Sequence, residues 1–520
     1  MAKNPILPGM NPDPSICTDG ENYYIATSTF EWFPGIKIYK SDDLANWKII
    51  ARPLRERQIN LAGVPDSAGV WAPCLRYYDH QFWLAYSVMH NIDGVYKDLR
   101  NYIITADDVN KKWSKPTYVG SQGFDPSIFK DDNEKFYILS QNWDYRRTYT
   151  HQAFNGILLQ EYNPDSKKII GDSIKIFKGS AQGGTEGPSL FKKNNFYYLM
   201  VSEGGTGRHH AITVARSKKI QGPYVMSPDV TLISSYNDSK INLQKAGHGN
   251  IIFTNQGDSF LVHLVSRYLP ESNMSVLGRE TAIEPVRWQD NWPYIDSNSQ
   301  QQPLSEVKSL PENKISFDYK TDFTDGLDLG WSSLRQRNFN IKTEERGLLM
   351  RGDESLSSNF NQSLITRPWI QHRFKVKTTL VFNPSSYRHQ AGLVLYYNTK
   401  NWVFLYLSFD ELSKRRIINL QISHNGRISE PSTGLYGYLP NDGEVELLFS
   451  VVDGCATAKY RYGEDWKNFG SKINVSYLSD EGVEGWGFTG ATMGITCVDT
   501  ELKNHYAMFL NFKIYGDEDK

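Results

Sequence analysis

The chain has 520 residues with 57 basic and 58 acidic side chains, and neither this balance nor any Lys/Arg cluster along it suggests a nucleic-acid binder or an acidic polymer, so a neutral partner fits best. This length exceeds one ordinary core, so two domains are expected. No apolar run approaches the ~18 residues of a membrane span, and Met1-Ala2-Lys3-Asn4-Pro5 contains no signal-like segment, so a soluble cytoplasmic protein with no membrane contact is expected.

Taken from the N-terminus, one phrase recurs: an acidic or aromatic opening, a Pro and a strand. It stands first as Asp13-Pro14-Ser15-Ile16, then as Trp71-Ala72-Pro73-Cys74, Asp125-Pro126-Ser127-Ile128 and Glu186-Gly187-Pro188-Ser189-Leu190, and in weaker form as Gly247-His248-Gly249-Asn250-Ile251. Each opening is followed by polar turn residues and an aromatic strand, from Asn22-Tyr23-Tyr24-Ile25-Ala26 to Ser259-Phe260-Leu261-Val262-His263. Five copies at intervals of roughly 54 to 62 residues predict a five-bladed β-propeller over residues 1–295, each copy one four-stranded blade. Ring closure is expected between Asn4-Pro5-Ile6-Leu7 and the last blade near Ala282–Trp288.

The polar stretch from Asp296 to Pro303 breaks this pattern, and residues 296–315 read as a linker. From residue 316 to 520 the phrase is absent. Strands such as Arg373–Phe382, Gln390–Tyr397, Trp402–Leu407 and Glu444–Val452, several alternating with period two and none interrupted by a long helix, predict a C-terminal β-sandwich. The fold class is therefore all-β.

Aromatic residues are 13% of the chain, with 31 Tyr and 13 Trp; most serve strand packing, but flat faces beside polar groups also suit sugars. Cys17, Cys74, Cys455 and Cys497 are far apart without a C-x-x-C pair and read as small buried apolar residues. His209-His210 reads as a loop or surface pair, because neighbours on a strand point to opposite faces. Glu203-Gly204-Gly205-Thr206-Gly207 lacks the Lys-Ser/Thr of a phosphate loop and reads as a turn.

If equivalent strands line the propeller axis, Asp13, Asp125 and Glu186 meet at one mouth. Three acids at matched positions suit glycosidic bond hydrolysis, in which a carboxylic acid protonates the leaving oxygen and a carboxylate activates water or attacks carbon. A negative neighbour would keep Glu186 protonated near neutral pH. The Pro after Asp13 and Asp125 favours extended backbone at both acids. Blade register also places His248 and Trp71 at the axis.

Beyond these openings, Asn11-Pro12-Asp13-Pro14-Ser15-Ile16, the run Tyr23–Gly35, Phe124-Asp125-Pro126-Ser127, Thr185-Glu186-Gly187-Pro188 and Leu277-Gly278-Arg279-Glu280-Thr281-Ala282 together resemble the motifs of glycoside hydrolase family 43, most closely its two-domain β-xylosidases. The resemblance covers nearly the whole chain. It implies Asp13 as general base, Glu186 as general acid and Asp125 as the residue that raises the acid's pKa and orients it. It also implies inversion, which needs Asp13 and Glu186 about 6.5–9.5 Å apart. Arg279 resembles the family's guanidinium that contacts sugar hydroxyls and catalytic carboxylates, although an Arg beside Glu280 is otherwise read as half of a surface ion pair. Phe30, Trp71 and Trp143 resemble the apolar wall of the sugar site. Phe488, in Gly485-Trp486-Gly487-Phe488-Thr489-Gly490-Ala491, resembles an aromatic that the sandwich brings to the mouth.

A closed mouth accepts only a chain end, so the expected activity is exo-acting release of D-xylose from the non-reducing ends of β-1,4-xylooligosaccharides. The alternatives are an α-L-arabinofuranosidase, an enzyme with both activities and, more distantly, a non-catalytic carbohydrate-binding propeller. The retaining fructosidases, another five-bladed class, carry Asp-Pro-Asn and Glu-Cys motifs where this chain has Asp13-Pro14-Ser15 and Glu186-Gly187. No cofactor or metal ligand set is expected, although a structural calcium is compatible with the resemblance, which also implies a homo-oligomer, often a tetramer.

Overall fold

The computed structural model describes residues 1–150, 153–295, 301–431 and 437–516. Each sequence module folds into one four-stranded antiparallel sheet, of consecutive strands in every blade but the first, where Trp32–Phe33 is left out. The first uses Ser15–Thr18, Tyr23–Thr27, Lys37–Ser41 and Lys48–Ala51. The first strands of the other four are Gly69–Tyr78, Ser127–Lys130, Glu186–Lys193 and Leu243–Phe253. These first strands contact one another around the ring, so they line the axis and the openings of all five modules share one end of it.

No blade borrows a strand from the other chain end. Instead, the N-terminal stretch runs beside the last blade: Leu7 and Thr281 exchange backbone hydrogen bonds of 3.1 and 3.2 Å. Asn4 brackets Ile283, donating to its carbonyl at 2.9 Å and accepting from its N–H at 3.0 Å. Residues 296–300 of the expected linker lie outside the described residues. The remainder is docked on the propeller, where Glu306–Val307 pairs with Ala2–Lys3 and Val307 is fully buried.

The C-terminal part is a β-sandwich of an eight-stranded and a nine-stranded sheet. Arg373–Val381 and Glu444–Val452 alternate buried and exposed residues, as strands with one wet face must. By contrast, His389–Asn398 and the first eight residues of Asn401–Asp410 are buried on both faces. One face supplies the sandwich core, while Val394, Tyr396, Trp402, Phe404 and Tyr406 pack with Met10, Phe30 and Trp32 of the propeller.

The domains also share a sheet: Trp32–Phe33, from the first blade, pairs with Ser332–Leu334 at the edge of the nine-stranded sheet. Arg335 secures this seam, bonding Val64 O and Asp66 Oδ1 at 2.7 Å each from a fully buried position. Removing one partner of a buried ion pair costs about 3–5 kcal/mol. Arg335→Ala is therefore expected to lower the thermal midpoint markedly; an unchanged midpoint would show that the seam does not depend on this pair. Cys17, Cys74 and Cys497 are buried as expected, but Cys455 is exposed, because it begins a strand on the sheet's outer face. Among the described residues, no helix is long and apolar enough to cross a membrane.

Candidate active site

The five openings share a backbone kink. Asp13, Ala72, Asp125, Gly187 and His248 have φ of 53°, 30°, 56°, 56° and 35°, whereas Pro was expected to hold Asp13 and Asp125 extended. Left-handed backbone costs non-glycine residues about 1–3 kcal/mol, and its recurrence at every inner strand turns the preceding segment across the axis. In the fourth blade the kink falls on Gly187, so Glu186 precedes it by one residue. Only glycine fits there, since a Cβ would stand 2.9 Å from the His248 ring and 2.8 Å from Ser202 Oγ.

Asp13, Asp125 and Glu186 therefore line one axial cavity of about 60 Å³, shared with Phe30, Trp71, His248, Arg279 and Phe488. This is far below the ~300–1,000 Å³ of sites for larger ligands. The cavity also includes Ala72, Phe124, Thr206 and His210, which the sequence did not single out as site residues. His210 corrects the reading of His209-His210: it is 1% exposed and its Nδ1 lies 3.0 Å from Lys245 O, while His209 packs against the tilted ring of Tyr236 outside. Alternation separated the pair as anticipated, but the inward member reaches the axis. The signal available was the position of the Gly-rich turn, which carries Thr206 and His210 between two strands of a blade. Trp143 stands one ring further out, packed 6.3 Å from Phe124.

Arg279 organises the acids. Its Nη1 bonds Asp13 Oδ1 at 3.0 Å and Thr206 Oγ1 at 2.9 Å, while Nε bonds Phe488 O at 3.2 Å. The guanidinium lies over Phe30 and Phe488 at 5.1 and 5.2 Å. Glu280 takes no part in this, because Arg267 holds it at 2.6 and 2.7 Å. Ser28 Oγ donates to Asp13 Oδ2 at 2.7 Å, and the Gly187 N–H donates to Asp125 Oδ2 at 3.0 Å.

Burial raises every carboxyl here, and the neighbours then separate them. For Asp13, burial is outweighed by Arg279, His248 and the Ser28 hydroxyl, leaving it below the ordinary carboxylate range. Burial and the Asp13 charge push Asp125 up to about 8. Glu186 is raised well above its usual value by burial first, then by Asp125 and Asp13. Burial keeps both histidines neutral near pH 7, with His210 lowered to about 3. The cavity thus holds a carboxylate at Asp13 beside a protonated acid at Glu186.

The sandwich completes the mouth. Phe488 stands 5.8 Å from Phe30 and 5.6 Å from Trp71. Its loop is tied to the propeller by Ser67 Oγ, which donates to Trp486 O at 3.0 Å, and by the ion pair of Lys245 with Glu481. Gly278 permits the closest approach: its φ is 71°, and a Cβ would meet Thr489 O at 2.2 Å.

Residues 2–293 match the model of glycosyl hydrolases family 43, and residues 320–515 match the β-xylosidase C-terminal concanavalin A-like domain. The chain is 39% identical to a β-xylosidase of Bacillus subtilis over 98% of both chains. It is also 39% identical to xylosidase/arabinosidase 43B of Humicola insolens, covering 96% of this chain and 94% of that protein. A crystal structure of xylan β-1,4-xylosidase from Bacillus halodurans superposes with a TM-score of 0.94 at 38% identity, covering 99% of this chain and 100% of that one.

Proposed function

The chain belongs to glycosyl hydrolase family 43, and from that premise we propose that it is an exo-acting, inverting β-xylosidase that releases D-xylose from the non-reducing ends of β-1,4-xylooligosaccharides. The observation that carries the reading is the opposed environment of two carboxyls in one axial cavity: Asp13 is held ionised and Glu186 protonated, the pairing that separates a base from an acid.

In this mechanism Asp13 takes a proton from water as the water oxygen bonds to the anomeric carbon. The glycosidic C–O bond breaks on the opposite face, and the leaving oxygen takes the Glu186 proton. Exchange with solvent restores both groups. Asp125, turned to the Gly187 N–H, supports the high pKa of Glu186 and its orientation. Arg279 orients Asp13 and offers its remaining donors to sugar hydroxyls. Phe30, Trp71 and Phe488 enclose the ring, His248 and Thr206 line its polar side, and Trp143 backs the outer wall. Two carboxylates and water suffice for this chemistry. The small cavity favours a single terminal sugar over the middle of a chain.

A second reading, combined α-L-arabinofuranosidase activity, draws support from the Humicola relative, whose name couples both activities. Proton NMR of the anomeric signals during hydrolysis of xylobiose, beside a matched arabinofuranoside, tests both. α-Xylose formed first supports inversion, β-xylose formed first overturns it, and cleavage of the arabinoside alone overturns the substrate assignment.

Arg279 also supplies a pH test. It lowers the pKa of both Asp13 and Glu186, so its loss raises both. For Arg279→Ala, the acid limb of kcat/KM, set by ionisation of Asp13, and the basic limb, set by deprotonation of Glu186, are expected to move to higher pH together. Limbs that stay in place while activity falls would leave Arg279 with sugar binding alone.

A further inference from the structure

Behind the axial cavity, the turn that carries Thr206 opens on a buried acid that no step of hydrolysis uses. Glu203 ends the strand Phe196–Glu203 and is fully buried. Its Oε1 accepts the Ser180 N–H at 2.7 Å and the Thr185 hydroxyl at 2.8 Å, and its Oε2 accepts the hydroxyls of Ser180 at 2.5 Å and Thr213 at 2.9 Å. These uncharged donors fill the four lone-pair sites of the carboxylate, so a group that is costly to bury is fully satisfied. Thr213, on the neighbouring strand Ala211–Ser217, anchors it within the blade. Ser180 and Thr185 belong instead to the loop that enters Glu186–Lys193.

Thr185 directly precedes Glu186. Among the described residues no hydrogen bond reaches the Glu186 carboxyl, on which its neighbours act through burial and charge, so its aim rests on the backbone that carries it. That backbone is held on both flanks: the Gly187 N–H donates to Asp125, and the Thr185 hydroxyl donates to Glu203. A β-branched side chain has few χ1 choices, so fixing the Thr185 hydroxyl fixes the chain beside it. Gly179 makes room for the contact, since its φ is 92° and a Cβ there would stand 2.0 Å from Thr185 Oγ1.

The same carboxylate reaches towards the base. The Gly204 N–H, next along the chain, donates to Gly183 O at 2.8 Å, which lays the turn against the loop of Glu186. Two residues later Thr206 accepts from Arg279 Nη1, the atom that also bonds Asp13. An acid and a base that flank one water must keep a set separation, and a misplacement of about 1 Å can cost ~10²-fold in rate. We propose that Glu203 is a positioning residue for hydrolysis, which aims Glu186 at the leaving oxygen through Thr185 and ties that aim to the turn bracing Arg279 and Asp13. The inference rests on the general-acid role of Glu186 proposed above.

The test measures kcat and KM of full-length Thr185→Val and Thr185→Ser on xylobiose and on an aryl xyloside with a good leaving group, beside Glu186→Gln. Valine keeps the shape of threonine and removes only the hydroxyl, which leaves Glu203 in place and folding at little risk. For Thr185→Val, kcat on xylobiose is expected to fall about tenfold or more at little change in KM, while the aryl xyloside, which needs no protonation, keeps most of its rate. Thr185→Ser, which retains the hydroxyl, is expected to restore the rate on xylobiose. Wild-type kcat in Thr185→Val overturns the proposal, as does an equal loss on both substrates or a serine variant no better than valine. If Glu186→Gln spares the aryl xyloside in the same assays, the acid role survives that failure; if Glu186→Gln loses both substrates equally, the acid role falls and the inference with it.

Discussion

Glu186→Gln is expected to lower kcat/KM on xylobiose by about 10²–10⁴-fold while sparing most activity on an aryl xyloside with a good leaving group, the range general acid catalysis supplies. A sugar alkoxide leaves only when protonated, whereas an activated phenolate departs unaided. The pH profile adds an independent sign. Glu186 has a raised pKa, so its acid form persists through neutral pH and is lost as pH rises through that value. Wild-type activity therefore falls on the alkaline side, and Glu186→Gln assayed on the aryl substrate is expected to lose that limb. Equal losses on both substrates would remove Glu186 from the acid role.

Asp13→Ala is expected to lose about 10²–10⁴-fold on both substrates alike, because water needs a base whichever group departs. The lowered pKa of Asp13 keeps it ionised into acid solution, and its protonation as pH falls sets the acid limb. Azide needs no deprotonation, so it is expected to restore turnover in this variant and to yield the α-xylosyl azide by attack opposite the leaving group. Formation of the β-azide would mean that another protein group forms a covalent intermediate and that Asp13 is not the base of a single displacement. The substitution leaves the buried Arg279 without its ion-pair partner, so Asp13→Asn, which keeps the Ser28 contact, is the control for folding.

Several parts of this molecule were legible in one dimension. The recurring opening phrase exposed five blades, and matched register brought Asp13, Asp125 and Glu186 to one axis. Motif resemblance supplied Arg279 and Phe488, neither of which has a local signature. Other parts were hidden for identifiable reasons. Proline after Asp13 and Asp125 argued for extended backbone, yet the repeated kink at the axis overrides that preference at both. His210 was masked by His209, since a pair of adjacent histidines does not disclose which member faces inward. Trp32 and Phe33 read as part of a blade, but they edge the sandwich sheet because the buried outer face of that sheet lies against them.

The linear pattern of residues carries what repeats: blade number, the acids at the head of three inner strands, and the change of pattern that marks a second domain. These follow from periodicity and residue type, which are properties of neighbours along the chain. How the acids differ is set by the folded chain. Asp13 is held ionised by Arg279, 266 residues away, while Glu186 is raised first by burial and then by its fellow acids. Electrostatic character depends on distances in space and on burial, and one wall of the cavity that buries these acids is Phe488 from the other domain.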